Sequence, residues 1–343
     1  VKKLLNTLFV TTPGTYLHLD HDTVKLEKEG SVLAQLPIMH FASVVCIGEV
    51  MVSPAAMMRF SSEGRTITFL DRIGRFAARV DGPVSGNILL RRAQFDTLGK
   101  LSVCTGIARS IITGKIINCR NILLRASRES STSEDSSLFQ NGATALRQSL
   151  DSLKNAFDLD AIRGIEGDAA RIYFSVFDRM IKGQRDSFFL NERSRRPPRD
   201  RMNALLSFLY TLLVHDYISA AEGVGLDPQA GFLHSLKPGR PSLALDLMEE
   251  MRPLLPDRLA VSMVNLRQIT ANHFEERQGG SVYLNEKGRK NVVVAYQKRK
   301  QDEVSHPLLK EKLPFGLVPH IQARIFARFL RGDIQEYMPY VIK

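Results

Sequence analysis

Four side chains in the second half of this chain have the types and spacing of a centre for a hard divalent cation. Glu166 sits in Gly164-Ile165-Glu166-Gly167-Asp168, and His234 closes Gly231-Phe232-Leu233-His234. Asp246 and Glu249 stand three apart in Ser242-Leu243-Ala244-Leu245-Asp246-Leu247-Met248-Glu249. On a helix that spacing projects both carboxylates from adjoining turns of one face. The Pro238-Gly239 turn between His234 and Ser242 can fold the imidazole back toward that acidic face. A histidine with two or three carboxylates and no thiolate partner is an oxygen-rich set suited to Mg2+ or Mn2+ rather than to structural zinc. Such an ion would polarise a scissile phosphate and assist a water or a 3'-hydroxyl as nucleophile. The glycines flanking Glu166 leave room for a bulky ligand or a neighbouring backbone.

The same residues also have a plainer reading. Glu166 and Asp168 suit the positive end of a helix dipole if they lie in its first turns, and Asp246 with Glu249 suits a solvated acidic face beside a hydrogen-bonded core histidine. Pattern alone does not choose between these readings. Charge adds weight to the chemical one, because 47 Lys and Arg against 36 Asp and Glu give a formal net charge of +11 and favour polyanionic partners, nucleic acid first. Arg193, Arg195, Arg196, Arg199 and Arg201 cluster before a long apolar segment, Lys287, Arg289 and Lys290 form a second group, and Lys237, Arg240 and Arg252 flank His234 and Glu249. Such groups would grip phosphates without reading bases, although a solvated positive face is the usual fate of a basic run.

These residues must be positioned by two kinds of structure. Residues 16–20 and 23–27 alternate about a two-residue turn at His21 and Asp22, which predicts a hairpin. Further strands are expected at 32–36, 43–47, 66–70 and 76–80, with turns at 29–30 and 71–74 and one short helix at 54–62. After Asp81 the texture changes to apolar residues at three and four spacing, predicting helices at 89–98, 101–117, 142–156, 160–181, 202–222, 242–252, 260–270, 287–299 and 319–331. The expected fold class is therefore α+β, with a small β-rich N-terminal domain over 1–81 and a mostly α-helical domain over 82–343. The serine-rich stretch 126–137 reads as a mobile loop.

Cys46, Cys104 and Cys119 are too few and too scattered for a disulfide framework or a thiolate zinc site. No run approaches the ~18 uninterrupted apolar residues of a membrane span, and the opening residues lack a long apolar signal core. A soluble protein of the reducing cytoplasm, with no membrane partner, is the expectation.

The three blocks Gly164 to Ala170, Gly231 to His234 and Ser242 to Pro253, in this order within a helical second half, resemble the catalytic blocks of the CRISPR spacer-acquisition integrase family, often called Cas-one. Gly86-Asn87 with Leu90-Arg91-Arg92-Ala93-Gln94, and Asn203-Ala204-Leu205-Leu206-Ser207-Phe208-Leu209-Tyr210, extend the resemblance over nearly the whole chain. The opening Lys3-Leu4-Leu5-Asn6-Thr7-Leu8-Phe9-Val10 resembles the C subtype of type I systems. The resemblance implies that Glu166, His234 and Glu249 hold Mg2+ or Mn2+. Glu249 stands where many relatives carry aspartate. Asp246 is implied as support for His234 or a basic side chain, with direct ligation the lesser alternative. The implied activity is that of a metal-dependent DNA endonuclease and integrase, inserting double-stranded prespacer DNA into the CRISPR repeat by 3'-hydroxyl transesterification. A homodimer through the strand domains and a small companion protein, Cas-two, are the implied partners. A non-catalytic basic DNA-binding subunit of a recombination or repair complex is the alternative reading.

Overall fold

The computed structural model describes residues 7–41, 43–71, 76–80, 82, 88–194 and 196–342. The described residues of 7–80 supply eight strands and one α-helix, besides a 3-10 turn at Ile38–His40: β1 (Thr7–Val10), β2 (Thr15–Asp20), β3 (Thr23–Lys28), β4 (Ser31–Pro37), β5 (Ser43–Ile47), β6 (Val50–Val52), α1 (Pro54–Ser62), β7 (Thr66–Leu70) and β8 (Phe76–Val80). One sheet has the order β4-β3-β2-β6 and the other β1-β5-β7-β8. In the second, β1, β5 and β7 run parallel and β8 returns antiparallel. The hairpin forms in the expected register, Asp20 opposite Thr23, with His21 at φ 53°. Histidine is among the few residue types that take up this left-handed conformation with some frequency. Strands β1 and β6, of four and three residues, were not anticipated because no period can show in so short a run.

Strand β5 joins the two halves. All five of its residues are buried, Val44 and Cys46 in a small core with Leu17, Val24 and Phe60, Val45 and Ile47 in the large core of the helices. A central strand covered on both faces carries a continuous apolar run rather than an alternation, as Val44 to Ile47 does.

The helices follow as α2 (Ile88–Leu98), α3 (Leu101–Arg128), α4 (Ser133–Lys154), α5 (Leu159–Phe177), α6 (Arg201–Gly223), α7 (Ser242–Met248) and α8 (Arg258–Asn265). Next come the hairpin β9 (Phe274–Arg277) with β10 (Ser281–Leu284), α9 (Glu286–Gln301), the short pair β11 (Glu303–Ser305) with β12 (Lys312–Pro314), and α10 (Val318–Leu330). The β9–β10 turn uses Gly279 and Gly280, both with positive φ, a signal present in the sequence and passed over. Helix α6 is apolar and long enough to cross a membrane by composition, and 72% of its apolar window is buried inside the molecule.

Three expectations are corrected. The serine-rich stretch is not a loop: α3 runs through Arg128 and α4 starts at Ser133, leaving residues 129–132 between them. Thr132 caps α4 by accepting from the Asp135 amide, Ser130 bonds the Ala126 carbonyl, and Ser127 meets Ser136 at 2.9 Å. Hydroxyls that satisfy helix ends and bridge two helices need no apolar face of their own. Glu166 is not in a first turn, because Asp158 caps α5 by accepting from the Ala161 amide and sets Glu166 about two turns inside it. Helix α7 stops at Met248, short of Arg252, where the backbone tightens into i→i−3 bonds, Glu249 N–H to the Asp246 carbonyl and Met251 N–H to the Met248 carbonyl; a single π-helical turn, Pro253–Asp257, follows. Residues 72–74 of the expected turn 71–74, and the pair Gly86-Asn87, lie outside the described residues.

The C-terminal strap returns across the back of this assembly. The buried Asn118 of α3 donates to the Glu250 and Tyr340 carbonyls and accepts from the Ile342 amide, at 2.9, 2.7 and 3.1 Å. Glu250 accepts from Gln322, the Tyr337 hydroxyl and the Tyr340 amide at 2.9, 3.1 and 2.8 Å, and burial still pushes its carboxyl up to about 8. Gly114 is required beneath the strap, because a Cβ there would stand 2.5 Å from Pro339. Asn118→Ala would strand three buried backbone groups. It is expected to cost on the order of 2–4 kcal/mol in denaturant unfolding and to expose the C terminus to carboxypeptidase. Unchanged stability together with an unchanged tail would contradict this account.

Candidate active site

The end of α7 and the turn after it carry three acids, Asp246, Glu249 and Glu250, each of which makes a demand on its surroundings. Asp246 is fully buried and accepts from the amides of Phe232, Leu233 and His234 at 2.5, 2.9 and 2.9 Å. It also meets Nδ1 of His234 at 2.7 Å. A carboxylate only accepts, so Nδ1 carries the proton, and in the neutral ring Nε2 keeps its lone pair for a ligand. The loop can wrap this tightly because position 231 is glycine: a Cβ there would lie 2.5 Å from the Ser242 carbonyl carbon. Phe232 pins the loop edge-on against Phe326 of α10, and Arg163 of α5 holds the Leu233 carbonyl with Nε and Nη2 at 2.9 and 2.6 Å.

Glu249 is 3% exposed. Its Oε1 meets Arg252 Nη1 at 2.5 Å and its Oε2 meets Lys115 Nζ at 2.6 Å. Burial alone would raise its pKa, but Arg252, Lys115 and His234 outweigh that and hold the carboxyl below the ordinary range. Lys115 bonds Glu166 as well, so a single ammonium joins α3, α5 and the end of α7. Burial would lower the lysine pKa, and the two glutamates reverse this and raise it. The Arg252 guanidinium lies 4.4 Å over the Tyr210 ring, whose hydroxyl donates to Asp257 at 2.6 Å. Burial pushes Asp257 up to about 6.

His234 and Glu249 open on a cleft of about 1200 Å3, lined also by Arg193, Arg196, Lys237, Arg240 and Tyr210. The donor set fits a hard cation in kind: two carboxylate oxygens already facing one positive charge, with an oriented imidazole on the same cleft. Among the described residues no group of three or more His, Cys, Asp or Glu side chains is close enough, as they stand, to hold one ion. The Lys115 ammonium occupies the position between the two glutamates.

Comparison with known proteins decides the family. The family model described as "CRISPR associated protein Cas1" matches residues 8–298. The chain belongs to the Cas1 family. The "CRISPR-associated endonuclease Cas1 1" of Moorella thermoacetica is 54% identical over 340 residues, covering 99% of both chains. Two solved structures share the fold. A chain of a "Cas6-RT-Cas1--Cas2 complex" has a TM-score of 0.84 at 20% identity, covering 99% of this chain and 36% of that one. A "Casposase bound to integration product" has a TM-score of 0.81 at 20% identity, covering 97% and 93%.

The basic residues expected on this Cas1 chain divide by position. Arg193, Arg196, Lys237, Arg240 and Arg252 line the cleft. Arg252 is committed to Glu249 there, and Arg193 to Asn203. Arg201 pairs with Glu276 at 3.2 Å, and neither it nor Arg199 lines the cleft. Lys287 and Lys290 are exposed on α9, outside the cleft lining. Arg289 is corrected: it is buried and donates to the Leu284 carbonyl at 2.7 Å, so burial and a structural bond remove it from any phosphate. Arg195 lies outside the described residues. Sequence reasoning passed over Arg79 of β8, which lines the cleft and pairs with Glu222 at 2.5 Å. It also passed over Lys115. The signal was there, a lone cation within Ile111-Ile112-Thr113-Gly114-Lys115-Ile116-Ile117, since a charge in so apolar a helix must find acidic partners.

Asp246→Asn places an amide donor among four N–H groups that need an acceptor. It is expected to lose on the order of 2–4 kcal/mol of stability and to release His234 to either tautomer. Urea unfolding and the 15N shifts of the imidazole measure the two effects; a variant that matches the parent in both would mean that Asp246 does not orient the loop.

Proposed function

We propose that this chain is the metal-dependent endonuclease and integrase of CRISPR spacer acquisition, joining double-stranded DNA to the repeat array by transesterification. The observation that carries the reading is the convergence of Glu166 and Glu249 on one cationic position, beside an imidazole held by a buried Asp246, at the edge of an arginine-lined cleft. The name of the Moorella relative supports nuclease chemistry, and the casposase bound to an integration product supports strand joining on the same fold.

Glu166, Glu249 and His234 Nε2 would hold Mg2+ or Mn2+, which supplies positive charge to the scissile phosphate and a lower pKa to the attacking hydroxyl. Asp246 keeps the imidazole in one tautomer and orientation. Lys237, Arg240 and Arg196 bind the DNA backbone through phosphates and set its path past the acids without sequence readout, while Arg193, bonded to Asn203, shapes the cleft wall. The 3'-oxygen of the incoming strand forms the new P–O bond as the 3'-oxygen of the cut strand leaves, so the number of phosphodiesters is conserved. Water in place of the hydroxyl makes the same centre a nuclease.

As partners we propose a second copy of this chain and Cas-two, in keeping with the Cas6-RT-Cas1--Cas2 neighbour. The three cysteines are free and buried, which suits a reducing compartment such as the cytoplasm.

Strand transfer of a labelled duplex into a repeat-bearing plasmid tests the reading. Glu166→Gln and His234→Ala are expected to abolish joining while a gel shift still reports DNA binding, and EDTA is expected to abolish joining by the unaltered protein until Mn2+ is restored. Joining that survives both substitutions would assign the chain a non-catalytic DNA-binding role instead.

A further inference from the structure

Lys115 has no part in the chemistry above. Its side chain sits in the apolar middle of α3 and is only 8% exposed as a residue, yet it pairs with two acids, Glu166 inside α5 and Glu249 just past α7. Between the two glutamates and their direct cationic partners the charges balance without any metal. Glu166 and Glu249 contribute two negative charges, and Lys115 and Arg252 two positive ones; Arg252 takes Oε1 of Glu249 and Lys115 takes Oε2. Asp246 stands outside this balance, its four bonds going to the 232–234 loop. A divalent ion placed on Glu166 and Glu249 would need oxygens that the ammonium now holds, and would bring the cluster two charges above balance in a poorly solvated setting, where like charges repel strongly.

We infer that Lys115 is a resident counter-ion that occupies the cation position between Glu166 and Glu249 and competes with the divalent metal for it. The inference rests on the metal-dependent reading above and deepens it. Lys115 keeps the two acids facing each other while no metal is bound, and for the same reason it weakens the metal. It is a positioning residue, because it acts on the acids and not on DNA. Binding of the ion and departure of Nζ from at least one carboxylate are then one event.

Mn2+ binding, read by electron paramagnetic resonance and by calorimetry without DNA, separates the possibilities. The unaltered protein is compared with Lys115→Met, Lys115→Arg, Glu166→Gln and the double variant Lys115→Met/Glu166→Gln. Lys115→Met is expected to tighten the Mn2+ Kd by on the order of tenfold or more, the size of one removed like charge. Lys115→Arg, which keeps the charge, should stay within about threefold of the parent, and both Glu166→Gln proteins should lose the site. Mn2+ that needs Glu166 but binds Lys115→Met no more tightly than the parent would overturn the counter-ion while leaving the metal reading intact. No Mn2+ binding by the parent or by Lys115→Met would overturn both. Should Lys115→Met fail to fold, crystals of the unaltered protein soaked in Mn2+ decide: an anomalous peak between the two glutamates with Nζ displaced supports the inference, and a peak there with Nζ still on both acids, or a peak elsewhere, defeats it.

Discussion

An acidic side chain taken out of water must find positive charge or several hydrogen-bond donors, and the short stretch Asp246, Glu249 and Glu250 imposes that demand three times in three directions. Asp246 is satisfied by the 232–234 backbone and the His234 ring, Glu249 by Lys115 and Arg252, and Glu250 by Gln322, Tyr337 and Tyr340. The loop before α7, the middle of α3 and the C-terminal strap are all drawn to one place by those acids. Leaving any one of them unpaired would cost several kcal/mol, which makes the arrangement specific as well as stable.

The packing around the acids is built to allow this. Glycine at 231 lets the His234 loop lie on the start of α7, and glycine at 114 lets the strap lie on α3. Arg163 ties α5 to the same loop through the Leu233 carbonyl, so the helix that carries Glu166 is fixed relative to His234 by backbone contact rather than by the site residues themselves. The residues that would do chemistry are thus held on rigid elements, and the arginine-lined side of the cleft meets solvent. A polyanion lying there would be held mainly by charge, so its affinity should fall steeply with salt.

Much of the β-rich half was legible in the chain. Strands β2, β3, β4, β5, β7 and β8 and helix α1 fall where alternation, turn residues and caps place them, since each signal is local. What failed was also local in cause. The serine-rich stretch was judged by its lack of apolar residues, whereas hydroxyls there cap and bridge helices. Helix α7 ends at Met248 rather than Arg252 because the backbone tightens to i→i−3 bonds at Glu249 and Met251, which no residue type in that segment announces.

For the site, residue types and order pointed to Glu166, His234, Asp246 and Glu249, and the Pro-Gly turn to the return of His234 upon α7. His234, Asp246 and Glu249 depend on spacing along one chain segment, and Glu166 on the order of the blocks. Only the tertiary structure could decide that Asp246 is enclosed by backbone amides, that Arg289 is buried, and that Lys115, 51 residues from Glu166, stands between the two glutamates. A charge in an apolar helix announces that it needs a partner, but which acid answers is settled by how three helices pack, and no spacing along the chain encodes that.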